Sequence, residues 1–326
     1  MCGGPAAIRD VYTTAAVYVG TVIGAGFASG QEIAFFFTSR GDAAPAGIVA
    51  AATGLVGFGL LVFRVAHLTG AGGTNQLLQQ ILPPRLARVY QGLAPLLLFV
   101  VLSTTLAGTG AMVEQLYHLP PWIGATGLAA LVGWLTAKGS AGLNSTHRWV
   151  VPLIVLVLAG LTLRADSSTA IRLVPFPGGS DANLSELFQT PTRTPITLRL
   201  WDLAVAAGLG LLYAGYNVLL AMPALLVQAR ESGVRQAAGG LLGGLALALL
   251  VGTVNHLLSE HPALLGANLP LMALAAQLGP VWRGAYAGVL LAAQVTTAVS
   301  CAAPLSATIE AAVVPHRHPQ LVAMVI

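Results

Sequence analysis

Residues 20–32 read GTVIGAGFASGQE and place four glycines, Gly20, Gly24, Gly26 and Gly30, inside one apolar run. A second run, LLYAGYNVLLAMP, follows Gly208 and Gly210 and holds Gly215 and Pro223. Glycine and proline weaken a helix interior. Non-helical backbone survives at membrane depth only where it lines a cavity or is buried in protein. Where a membrane helix unwinds, its carbonyls lose their helical partners and can face a cation, and the half-helix N-terminus can face an anion. Paired glycine-interrupted spans in two halves of a chain point to a transporter's substrate site. The competing explanation is close helix packing through small residues, which fits Gly239, Gly240, Gly243 and Gly244 because no polar cluster accompanies them.

A hydroxyl cluster, Thr296, Thr297 and Ser300, lies in QVTTAVSCAAP. Hard cations take oxygen ligands, so it could complete a sodium cage; taken alone, such a cluster more often bonds back to its own helix. Glu32 is the one charge between residues 11 and 39. An intramembrane carboxylate is costly and usually functional. It could bind a substrate ammonium, take a proton, or bond backbone N–H groups freed by the break, and Gln31 shares that ambiguity. Glu114 reads as an interface residue, and Asp202 and Glu310 as helix-end groups. His67, His118, His256 and His261 have no metal-ligand spacing, and HExxH, paired CxxC and GxSxG are absent from the sequence. The glycine run has its third glycine misplaced for a dinucleotide fingerprint. A serine hydrolase built on Ser29 with His256 as base is a remote alternative; the expectation is a protein that is not an enzyme, with no catalytic residue.

The elements that must position these groups follow from composition. Of 326 residues, 56% are apolar and 8% charged, against about 25% charged in soluble domains, and mean hydropathy is +0.79. A spanning helix needs about 20 apolar residues. Charge gaps and breakers predict helices over 10–38, 45–68, 87–114, 121–137, 148–164, 199–228, 235–258 and 281–312, with a ninth starting near Leu321. A polar connection, 165–198, divides them into a first repeat, 1–164 with five spans, and a second, 199–326 with three spans and the start of a fourth. The second repeat is the shorter, and roughly its last helix and a half is expected to be missing; the alternative is a complete eight-helix protein with a short apolar tail. Arg9, Arg64, Arg85, Arg88, Lys138, Arg148, Arg230, Arg235 and Arg317 fall on the side of the N-terminus, against Arg40 and Arg283 on the other, while Arg164, Arg172, Arg193 and Arg199 flank or lie in the long external connection, where the rule is weaker. Short-loop Lys and Arg mark the cytoplasmic side, so a multi-pass protein of the cell membrane with a cytoplasmic N-terminus is expected. The formal net charge of +4 is scattered between spans, and no nucleic-acid surface follows. Cys2 and Cys301 imply no disulfide framework.

GTVIGAGFASGQEI in the first span, YAGYN in the sixth and TTA in the eighth together resemble the bacterial YkvI-like membrane-protein family. That family sits in the amino acid-polyamine-organocation superfamily and is similar in plan to the leucine-transporter fold. The likeness covers nearly the whole chain, and the first-span motif is its specific part. It implies an all-α polytopic protein of five-plus-five inverted repeats with discontinuous first and sixth helices. It also implies a sodium site from the main-chain oxygens of Gly20, Ile23 and Ala293 with the hydroxyls of Thr296 and Thr297. The substrate is then expected against unwound Ala25, Gly26, Phe27, Ala28 and Ser29, with Gln31 and Glu32 beyond. Tyr213, Gly215, Tyr216 and Asn217 are expected beside it, and Ser103, Thr104 and Thr105 opposite. The implied function is secondary transport, sodium-coupled symport of an amino acid or similar small zwitterion by alternating access. The alternative is a membrane receptor that binds a small molecule in the same pocket without moving it. Expected partners are a small-molecule solute and the lipid bilayer, with the chain as a monomer and sodium the coupling ion in place of any cofactor.

Overall fold

The computed structural model describes residues 5–70, 73–137, 143–167, 200–228 and 233–313. Among them every regular element is helical. The first span is in three pieces, α1 (Pro5–Val22), α2 (Ala25–Ser29) and α3 (Gln31–Phe36). It then passes through a 3-10 segment, Thr38–Ala43, into α4 (Ala44–Thr69). There follow α5 (Thr74–Ile81), α6 (Pro84–Tyr117), α7 (Pro121–Ala137) and α8 (Leu143–Ser167). The second half has α9 (Leu200–Gln228), α10 (Gly233–Glu260), a short 3-10 turn at Pro262–Leu264, α11 (Pro270–Gln277) and α12 (Pro280–Val313). Prolines open α6, α7, α11 and α12, where a missing N–H costs nothing. Gly70 ends α4 in the left-handed region at φ 65, the usual helix stop. Helix lies within a few residues of each of the eight expected spans, the first of them in three pieces, and α5 and α11 are helices that the charge gaps do not predict. The connection expected over 165–198 lies, from residue 168 on, outside the described residues, as does the helix expected near Leu321.

Among the described residues, five helices are long and apolar enough to cross a bilayer: Thr38–Thr69, Pro84–Tyr117, Leu200–Leu226, Arg235–Glu260 and Pro280–Ser306. Large apolar side chains such as Leu93, Leu96, Phe99, Leu156, Leu163 and Leu249 stand exposed along the helices. In water so much exposed hydrocarbon would drive association; in lipid it is the ordinary outer surface. The chain is a helical, multi-pass membrane protein.

The helices pack in two groups. α4 lies along α9 and α10, and α1 lies against α10 and α9. α6 lies against α7 and α12, and α12 also touches α7 and α8. α8 bridges to α1, and the short α2 is wedged against α6, α11 and α12. The broken piece of the first span therefore sits where the groups meet.

The break expected in the sixth span is absent: α9 is one continuous helix through YAGYN. Of its glycines Gly210 serves close packing, whereas a methyl on Gly208 would meet nothing within 4 Å and one on Gly215 only Phe58 at 3.9 Å. A methyl on Gly210 would lie 2.9 Å from the carbonyl carbon of Gly47 and 3.0 Å from the amide nitrogen of Ala51, both backbone atoms of α4. Glycine in a helix costs about 1 kcal/mol relative to alanine, whereas an unmet backbone group in lipid costs several. With α4 packed on its glycine face, α9 keeps its hydrogen-bond ladder. Pro223 lies inside α9 without ending it.

Candidate functional site

The first span breaks because Gly24 leaves the helical region (φ −91, ψ −170) and its N–H turns back to Val22 O at 2.8 Å. Among the described residues, no backbone N–H then bonds the carbonyls of Gly20, Thr21 or Ile23. Two of these, Gly20 and Ile23, are the main-chain oxygens expected at an ion site. The stretch Ala25–Ser29 is not unwound as expected. It forms one helical turn closed by Ala28 N–H to Gly24 O (2.9 Å) and Gly30 N–H to Phe27 O (3.0 Å). The irregular positions flank it, at Gly24 and at Gly30 (φ 86). Only glycine is at ease with that second angle.

α12 supplies the facing hydroxyls. Thr296 and Thr297 both donate to the Ala293 carbonyl, at 3.0 and 2.8 Å. This is the helix back-bonding that such clusters commonly show, yet each hydroxyl keeps its acceptor lone pairs. A methyl placed on Gly24 would sit 3.2 Å from Thr297 Oγ1, so this hydroxyl lies directly against the break. Ser300 is exposed and takes no part. The oxygens gathered here are neutral, and among the described residues no group of three His, Cys, Asp or Glu could hold a metal. Such a donor set suits a monovalent hard cation better than a transition metal.

On the other side of the break, Glu32 folds back over Gly26. A methyl on Gly26 would come within 2.8 Å of Glu32 Cγ and 2.6 Å of Cδ. Glu32 Oε2 is buried and has no hydrogen-bond partner, and no basic side chain pairs with the carboxylate among the described residues. The Tyr216 phenol stands beside it. Phe36 packs on Tyr213 (5.4 Å, edge-on) and Tyr216 (5.8 Å), and Tyr213 meets Phe37 (5.2 Å) and Tyr216 (5.6 Å) edge-on. Tyr213 is fully buried, and its hydroxyl is likewise without a partner. Asn217 is buried and returns its amide to Tyr213 O at 3.0 Å. Gly215 remains partly accessible. Tyr213, Tyr216 and Asn217 thus meet the site from an intact helix through side chains, not through freed backbone, whereas the one neighbour a methyl on Gly215 would approach is Phe58 of α4, at 3.9 Å.

The outer end of α2 is fastened. Ser29 Oγ donates to Gly26 O (2.8 Å) and accepts from Gln31 N–H (3.2 Å). Gln31 Nε2 donates to Asn268 O. Tyr286 of α12 donates to Ala28 O at 2.5 Å. α11, buried from Pro270 to Ala275, seals this end, with Leu271 against Gly30. Phe27, Ala25 and Ala28 are buried, so their side chains belong to the core. Ser29 is committed to the turn, and His256 is exposed on α10. The structure does not bring the two together as a nucleophile and base.

From α6, Ser103 and Thr104 are exposed and bond their own helix, to Phe99 O (2.8 Å) and Val101 O (3.0 Å). They face away from the site because the buried stripe of α6 runs through Thr105, Thr109 and Met112, at helical spacing. Sequence reasoning missed Gln294. It is fully buried, accepts from Thr109 Oγ1 at 3.0 Å, and has an unpartnered Nε2 near Gly108. A lone glutamine in an apolar span was the available signal. Phe36, Phe37 and Tyr286 were also missed, since aromatic residues in apolar runs carry no distinguishing pattern.

No protein-family model matches the chain. It is 27% identical over 260 residues to the uncharacterized membrane protein YkvI of Bacillus subtilis (strain 168), covering 78% of this chain and 68% of that protein. It is 29% identical over 137 residues to the uncharacterized protein YyaD of the same organism, covering 42% of this chain and 39% of that one.

Proposed function

We propose that the chain is a secondary transporter, coupling sodium to the symport of an amino acid or similar small zwitterion by alternating access. The observation that carries this reading is the break at Gly24. It leaves the Gly20 and Ile23 carbonyls without a backbone N–H at the junction of two helix groups, with the Thr297 hydroxyl lying against Gly24 itself. Soluble-style packing gives no reason to leave such carbonyls bare in a membrane span, whereas a passing cation gives one.

In this reading the group containing α1, α4, α9 and α10 rocks against the group containing α6, α7 and α12. Residues 1–164 and 199–326 belong to two inverted repeats of a leucine-transporter-like plan, with the N-terminus in the cytoplasm of a cell-membrane protein. Gly20, Ile23 and Ala293 carbonyls with Thr296 and Thr297 hydroxyls hold sodium. The solute lies between α2, Glu32 and the Tyr213–Asn217 face of α9.

The test is uptake into proteoliposomes with and without a sodium gradient. Thr297→Ala should abolish sodium-dependent uptake, and unchanged sodium dependence in that variant removes the ion assignment. A ligand that stabilises the purified protein but shows no flux under any gradient makes it a receptor instead.

A further inference from the structure

The Glu32 carboxylate is the least explained group in the fold. One of its oxygens is buried without a partner, and no basic side chain meets it among the described residues. An unmet buried acceptor costs about 1–3 kcal/mol, more when charged, and native proteins keep few of them without a use. Its surroundings are aromatic. Phe36, Tyr213 and Tyr216 form a mutually packed set, with Tyr216 beside the carboxylate. The position is not sealed core, because Gly26, Glu32, Phe36 and Tyr216 all keep partial accessibility. Gly26 makes the room: any side chain there would collide with Glu32.

A negative oxygen next to electron-rich rings is the arrangement that recognises ammonium groups. A metal ion is a poorer match, since a hard cation asks for several oxygen ligands and the walls here are rings. A carboxylate ligand is repelled by Glu32. We infer that Glu32, with Phe36, Tyr213 and Tyr216, recognises the ammonium group of the solute, so that the ligands of this protein are small primary amines, with or without a carboxylate elsewhere. The inference rests on the transport reading of the same site and narrows it, because the ammonium becomes the required feature.

The purified full chain is titrated with butylamine, α-aminobutyrate, butyrate and butanol, following thermal unfolding and heats of binding. Butylamine and α-aminobutyrate are expected to bind, and butyrate and butanol are not. Glu32→Gln should weaken butylamine about 10- to 100-fold, the worth of a contact to a charged group. Phe36→Leu should weaken it several-fold through the lost cation–ring attraction. If Glu32→Gln does not fold, Phe36→Leu and the ligand series on the native protein carry the test. Butyrate binding as well as butylamine, or undiminished butylamine binding in either folded variant, overturns the inference. Amine binding with no flux in proteoliposomes removes the transport reading and leaves this one. Flux of a carboxylate solute that excess butylamine does not inhibit removes this one and leaves transport.

Discussion

Replacing Gly26 by alanine tests whether the fold positions Glu32 for binding. The new methyl would stand 2.8 Å from Glu32 Cγ and 2.6 Å from Cδ, where carbon atoms prefer about 3.5–4.0 Å. The carboxylate must therefore retreat by roughly 1 Å or swing away. Crowding of this kind typically costs about 1–3 kcal/mol, at the low end here because the obstacle is a flexible side chain. Gly26 lies in helical α2, where alanine is favoured over glycine by about 1 kcal/mol. The two terms nearly cancel, so the thermal midpoint should move little. Binding should not escape: a displaced carboxylate forfeits its contact to the ammonium, worth about 1.5–3 kcal/mol, or a 10- to 100-fold loss of butylamine affinity. The control is Gly57→Ala on α4, where an added methyl meets nothing within 4 Å. The assay is butylamine titration of the three purified proteins by thermal shift and calorimetry. A Gly26→Ala protein that folds and binds butylamine with native affinity refutes the reasoning, since the carboxylate's place over Gly26 would then be irrelevant to the ligand.

Two further substitutions separate packing from binding. Gly210→Ala drives a methyl into the backbone of Gly47 and Ala51; backbone cannot step aside, so α4 and α9 must part. A loss of about 1–3 kcal/mol or more is expected, read as a lowered thermal midpoint whether or not ligand is present. Tyr286→Phe removes the hydroxyl that meets the Ala28 carbonyl and leaves a buried acceptor, at about 1–3 kcal/mol. Faster amide exchange across Ala25–Gly30 is the expected signature.

The membrane class and the helix limits were legible because they are local properties. A charge-free run longer than about 20 residues has one comfortable environment, and prolines and glycines mark its ends. The first-span break was legible for the same reason, since Gly20, Gly24, Gly26 and Gly30 stand together with a lone carboxylate beyond them. The same reasoning misread α9. Glycine permits both unwinding and close approach, and only the partner decides between them. Gly47 of α4 faces Gly210, so that helix stays whole. Ser103, Thr104 and Thr105 are equivalent as letters, and the rotation of α6 alone turns Thr105 inward. Glu32 over Gly26, the aromatic set around it and the unmet Gln294 amide join residues that are close in space through folding. Sequence by itself determined which segments enter the bilayer, because each pays its own transfer cost to lipid. Tertiary structure decided which polar groups meet, because a contact between two helices depends on how both are rotated and how closely they approach.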